Sequence, residues 1–143
     1  MSVQAVLLPV FLHVALVFGL LFLMGGRRYA AVKARQVRAA DVSAGERTWP
    51  PAAQWAANAF INQFELPVLF YALVVLAILT RKADVLFVAM SWIFVLSRFG
   101  HAGAYVTTNR VPVRLSLYAI GAVTLGLMWM VFAVRILSTP IPA

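Results

Sequence analysis

The sequence predicts an all-α integral membrane protein, a four-transmembrane-helix bundle, and three observations carry that prediction. Apolar residues make up 64% of the 143 and charged ones 11%, against roughly 45–50% and about 25% in soluble domains. Mean hydropathy is +0.92, so a water-facing fold would expose too much apolar area and lipid is the natural solvent. Four largely apolar stretches recur along the chain, and four spans of about 20 residues with one longer loop use nearly all of it.

The first span, about residues 5–24, carries no charge and contains Pro9 and His13. No Lys or Arg precedes it, its apolar run is long and no small-residue cleavage site follows, so it is expected to be a retained helix rather than a signal peptide. His13, alone in an apolar helix, is expected to be structural, bonded to a neighbour's backbone. Residues 25–51 form the one long polar loop: Gly25-Gly26 are expected to end the first helix, and Pro50-Pro51 to begin the second. The second helix is predicted over 52–79, with a kink at Pro67. A short turn holding Arg81 and Lys82 leads to a third helix over 84–107. A second basic turn, 108–114, precedes the fourth helix over 115–134. Trp49, Trp55, Trp92 and Trp129 read as packing and interface anchors.

The net charge is +8, which invites a nucleic-acid reading, but the placement points elsewhere. Six of the twelve basic residues lie between Arg27 and Arg47, bunched beside hydrophobic spans as in proteins whose basic loops set their orientation. Arg27, Arg28, Lys33, Arg35, Arg38, Arg47, Arg110 and Arg114 occupy the first and third connections. Arg81, Lys82 and Arg135 lie on the other side. The positive-inside rule then puts the first and third loops in the cytoplasm and both termini outside. No nucleic-acid partner is expected. The chain has no cysteine, which rules out disulfides, cysteine-ligated metals and a protein thiol nucleophile. Two separated histidines, His13 and His101, are too few for a metal or haem centre.

Ionisable groups inside a bilayer are costly and usually face the bundle interior. On the second helix Asn58, Asn62 and Glu65 stand at i, i+4 and i+7, one helical face. On the third, Arg98, His101 and Tyr105 stand at i, i+3 and i+7, again one face. The topology puts both stripes at the cytoplasmic level, close to Arg114, so a cytoplasm-facing polar pocket is the economical reading. The bland alternatives are an intramembrane Glu65–Arg98 ion pair, Asn58 and Asn62 as interhelical hydrogen-bond glue, and Arg114 as a headgroup anchor.

These residues resemble the MAPEG family, the membrane-associated proteins in eicosanoid and glutathione metabolism. The stretch Asn62-Gln63-Phe64-Glu65-Leu66-Pro67 is similar to that family's second-helix motif. Arg98, His101, Tyr105, Arg110 and Arg114 are similar in spacing to the third-helix region of its prostaglandin E synthase branch. The resemblance spans nearly the whole chain. It implies a homotrimer, with glutathione bound between protomers at the cytoplasmic side and a lipophilic acceptor drawn from the bilayer. It casts Arg114 as the thiolate-stabilising arginine and Tyr105 as a tyrosine lining the glutathione site. His101 becomes a polar contact there, and Asn62 and Glu65 hold glutathione or brace the pocket. Arg98 belongs to the same motif. Two positions depart from the pattern. Asn58 stands where catalytic members carry a glutathione-contacting arginine, with Arg47 a conceivable substitute, and Ser116 is shifted one place from its usual position after the motif arginine.

Three functions compete. A glutathione-dependent transferase or peroxidase predicts Arg114 and Tyr105 in a groove open to cytoplasm and lipid. A non-catalytic accessory or assembly subunit of a larger membrane complex, favoured by Asn58, predicts a closed polar cluster. A small transporter or lipid-binding protein would show broken helices and repeat symmetry. A composition rich in Ala, Val and Arg leans towards a bacterial inner membrane. Because the chain has no cysteine, single reporters test the orientation directly. Ser43→Cys should resist a membrane-impermeant maleimide in intact cells and Thr80→Cys should react; the reverse pattern overturns the assignment.

Overall fold

A computed structural model describes residues 1–43 and 49–138. Four stretches are long and apolar enough to cross a membrane: Val3–Lys33, Pro51–Leu79, Val85–Val106 and Val111–Ser138. Among the described residues every regular element is helical. Large apolar side chains such as Phe22, Leu79 and Leu137 face outwards, as a lipid-facing surface requires.

The first helix, α1 (Val3–Lys33), starts at Ser2, whose hydroxyl accepts the Ala5 amide at 3.3 Å. It does not end at the glycine pair as expected, but continues nine residues past Met24. Two helical glycines cost about 2 kcal/mol together relative to alanine, and tertiary contact offsets that. Immediately after them, Arg27 donates to the Ala52 carbonyl at 2.9 Å and to the Val106 carbonyl at 3.1 Å, stapling α1 to two other helices. At about 1.5 Å per residue α1 is roughly 46 Å long, so its basic end projects beyond a hydrocarbon core of about 30 Å. Arg35 closes it in the left-handed conformation at φ 54°, with Gln36 donating back to Ala31. A five-residue helix, α2 (Ala39–Ser43), follows.

The second span is broken rather than merely kinked. It comprises α3 (Pro51–Ile61), a 3₁₀ turn (Asn62–Phe64) and α4 (Leu66–Leu79), with Glu65 between them at φ −92°, ψ −100°. Pro67 lacks an amide hydrogen and its ring clashes with the carbonyl four residues earlier. The irregularity therefore falls one turn upstream of the proline. α5 (Val85–Val106) matches the expected third helix closely. Asp84 caps it through the Phe87 amide at 2.9 Å. α6 (Val111–Ser138) begins four residues earlier and ends four later than the expected 115–134, because Pro112 suits a first helical turn.

α5 and α6 form the most extensive contact, and α1 packs on α3 and α5. Ala53, Ala56, Ala57 and Ala59 are buried in α3, where small side chains let helix backbones approach. Phe70, Leu73, Phe94, Leu125 and Met128 fill the core farther along the bundle. At the end remote from Arg27, Arg135 reaches Asp84 at 2.7 Å, and its guanidinium holds the Asp84 carboxyl below the usual carboxylate range. α6 packs tightly on α5 at Gly121, where an added Cβ would stand 2.7 Å from Ser97 Oγ. That hydroxyl is itself held by the Phe94 carbonyl at 2.6 Å. Gly121→Ala should therefore lower stability by about 1–3 kcal/mol in detergent thermal melts, with Ser97→Ala restoring most of the loss; an unchanged melt contradicts this contact.

Candidate functional site

The break in the second span exposes backbone and polar side chains to the bundle interior, where Arg98 of α5 meets them. Arg98 is fully buried, at 0% exposure. Its Nη2 donates to the Asn62 carbonyl at 2.9 Å and its Nε to Gln63 Oε1 at 3.5 Å. Gln63 Oε1 also meets His13 Nε2 at 3.2 Å, and Gln63 Nε2 donates to the Ala59 carbonyl at 2.8 Å. An amide oxygen only accepts, so His13 Nε2 carries the hydrogen. Its Nδ1 then accepts from the Tyr71 hydroxyl, which lies within hydrogen-bond reach. His13 is thus bonded to two side chains, not to a neighbour's backbone as expected.

The expected Glu65–Arg98 ion pair is not formed. Glu65 is exposed; Arg98 Nη2 and Nε go to Asn62 and Gln63, and its Nη1 is buried with no partner among the described residues. Glu65 sits at the break itself, at φ −92°, ψ −100°, outside helical geometry, so the helical register that put it on the Asn58–Asn62 face does not hold there. Gln63 enters in its place. Sequence reasoning passed over Gln63, although an uncharged polar residue four before a proline in an apolar span is a usable signal.

Beside this network lies a groove of about 160 Å³, lined by Asn62, His101, Tyr105, Val111, Arg114, Leu115 and Tyr118. His101 Nδ1 donates to the Arg114 carbonyl at 2.9 Å, and its Nε2 faces the Asn62 amide at 3.5 Å. The Arg114 guanidinium stacks on the Tyr105 ring, 3.9 Å from its centroid, and Nη1 donates to the Asn109 side chain. Its Nε is buried and has no hydrogen-bond partner among the described residues. Tyr118 stands 5.6 Å from the His101 ring and 5.5 Å from the Arg98 guanidinium, separating Arg98 from the groove.

Of the residues singled out in the sequence, Arg114, Tyr105, His101 and Asn62 come together, and Arg98 sits behind them. Asn58 and Glu65 do not line the groove. Asn58 accepts from Gln54 at 2.7 Å, one turn away on α3. Arg47 lies outside the described residues. Tyr118 was missed, although its place one helical turn after Arg114 puts both on one face. The groove pairs a cation and two phenols with the apolar Val111 and Leu115, so it suits an anionic nucleophile beside a lipophilic partner. Its volume is below the roughly 300–1,000 Å³ of drug-sized sites.

The profile of the MAPEG family matches residues 6–134. No match is found among curated proteins, and none among solved structures. Gln63→Leu should cost about 1–3 kcal/mol by leaving Arg98 Nε and His13 Nε2 unpaired; a melt at the wild-type temperature would remove the network from the account of the site.

Proposed function

The chain belongs to the MAPEG family, and from that premise we propose a membrane-embedded glutathione-dependent transferase or peroxidase acting on lipophilic substrates at the cytoplasmic side. One observation carries the reading: the buried Arg114 Nε has no partner and its guanidinium lines a groove with apolar walls on one side. A guanidinium in a groove wall can give an anion charge-assisted hydrogen bonds.

Bound glutathione supplies a nucleophilic thiol. Arg114 favours its ionised form, because a nearby guanidinium lowers a thiol pKa from about 8.5. Tyr105 holds that guanidinium in place by stacking, and Tyr118 and Asn62 offer hydrogen bonds to glutathione's polar backbone. Val111 and Leu115 admit the lipophilic acceptor. Arg98 braces Asn62 from behind. Glu65 is an exposed carboxylate in a span, which is costly against lipid, and this favours a neighbouring copy covering it. A homotrimer would complete the groove, with Glu65 and Asn58 offered to glutathione from across the interface. The spacing of Arg98, His101, Tyr105 and Arg114 supports a place near the prostaglandin E synthase branch. The membrane proposed is a bacterial inner membrane, with the first and third loops cytoplasmic.

A second reading rests on Asn58. A neutral side chain already engaged by Gln54 offers no charge to anionic glutathione, which favours a non-catalytic accessory subunit. Titrating the detergent-purified protein with glutathione decides between them. Saturable thermal stabilisation of about 1–3 kcal/mol with an ultraviolet thiolate signal that Arg114→Ala abolishes is the expected result. No shift at millimolar glutathione would overturn the enzyme reading in favour of the accessory one.

A further inference from the structure

His101 is placed to do something other than touch a ligand. It is 4% exposed, and both ring nitrogens face protein groups, the Arg114 carbonyl at 2.9 Å and the Asn62 amide at 3.5 Å. A carbonyl only accepts, so Nδ1 carries the hydrogen and the neutral ring turns the Nε2 lone pair to the Asn62 amide. The ring is wedged between Tyr105, 5.5 Å away, and Tyr118, 5.6 Å away. The Arg114 carbonyl lies in the first turn of α6, and a carbonyl has two lone pairs, so the bond from His101 is additional to the helix's own. It ties α6 to α5 at the residue whose side chain reaches into the groove. The tip of that side chain is held separately, by Tyr105 and Asn109.

We propose that His101 is a positioning residue: it anchors the backbone of Arg114 and so sets where the guanidinium stands relative to a bound thiolate. This rests on the glutathione reading above. Loss of the bond leaves the groove's other walls intact but frees the root of Arg114, so glutathione still binds while thiolate stabilisation weakens.

Substitutions separate the two nitrogens, since an Asn amide reproduces a donor at the Nδ1 position and a Gln amide one at Nε2. The full-length chain, purified in detergent, is titrated with glutathione for affinity, and the thiolate absorbance of the saturated protein is followed against pH. His101→Ala and His101→Gln are expected to raise the apparent thiol pKa by about one unit, a tenfold loss of thiolate, with affinity within about threefold of wild type. His101→Asn is expected to keep the wild-type pH profile, which guards against a mere folding defect in the alanine variant. Unchanged thiolate in His101→Ala overturns the proposal alone. An equal collapse of affinity in all three variants also overturns it, by making His101 a direct contact. Absence of binding or of a thiolate signal in the wild type fells the glutathione reading, and this proposal with it.

Discussion

A guanidinium buried in a membrane-spanning bundle is the constraint from which the rest follows. Arg98 sits at 0% exposure on α5, where an unpaired charge costs about 2.5–3.5 kcal/mol even on lenient insertion scales. At the break before Pro67 the Asn62 carbonyl and the inward-turned Gln63 side chain accept from Arg98. The irregular stretch before the proline thus supplies acceptors for two of the three guanidinium nitrogens, Nη1 remaining without one among the described residues. Each charge-assisted hydrogen bond is worth roughly 1.5–3 kcal/mol, enough to hold the break in a single arrangement.

Asn62 connects this interior to the groove. Its carbonyl serves Arg98 and its side-chain amide faces His101, which in turn holds the backbone of Arg114. A chain of side chains therefore runs from Tyr71 and His13 in the apolar interior to the cation in the groove wall. Tyr118 lies between the two arginines' environments and lets each keep a separate set of partners. The groove is small and open on one chain, and the exposed Glu65 lies outside it.

The two ends of the bundle are fastened by different chemistry. Near the basic loops, Arg27 closes carbonyls of α3 and α5 from α1, which keeps the helix intact beyond two glycines. At the far end Asp84 both caps α5 and pairs with Arg135 of α6. Between them, buried alanines and Gly121 bring backbones close enough for dispersion to hold the helices together where lipid removes the hydrophobic drive.

Membrane residence, four spans and the grouping of Asn62, His101, Tyr105 and Arg114 were legible in the sequence, because composition marks the spans, periodicity aligns residues on one helix face, and the alternating direction of the spans sets which residues share a level. The same periodicity misled at Glu65, which sits at the break before Pro67 with a non-helical backbone, so the register does not carry across it. It was silent on Gln63 and on the partners of His13, which are set by helices fifty or more residues apart. Gly25-Gly26 read as a stop because local propensity is all a sequence displays, whereas Arg27 overrides it through contacts 25 and 79 residues away. Spans and stripes are decided by residues near one another in the chain. Partners of buried polar groups are decided by which helices meet, and only the tertiary structure chooses that.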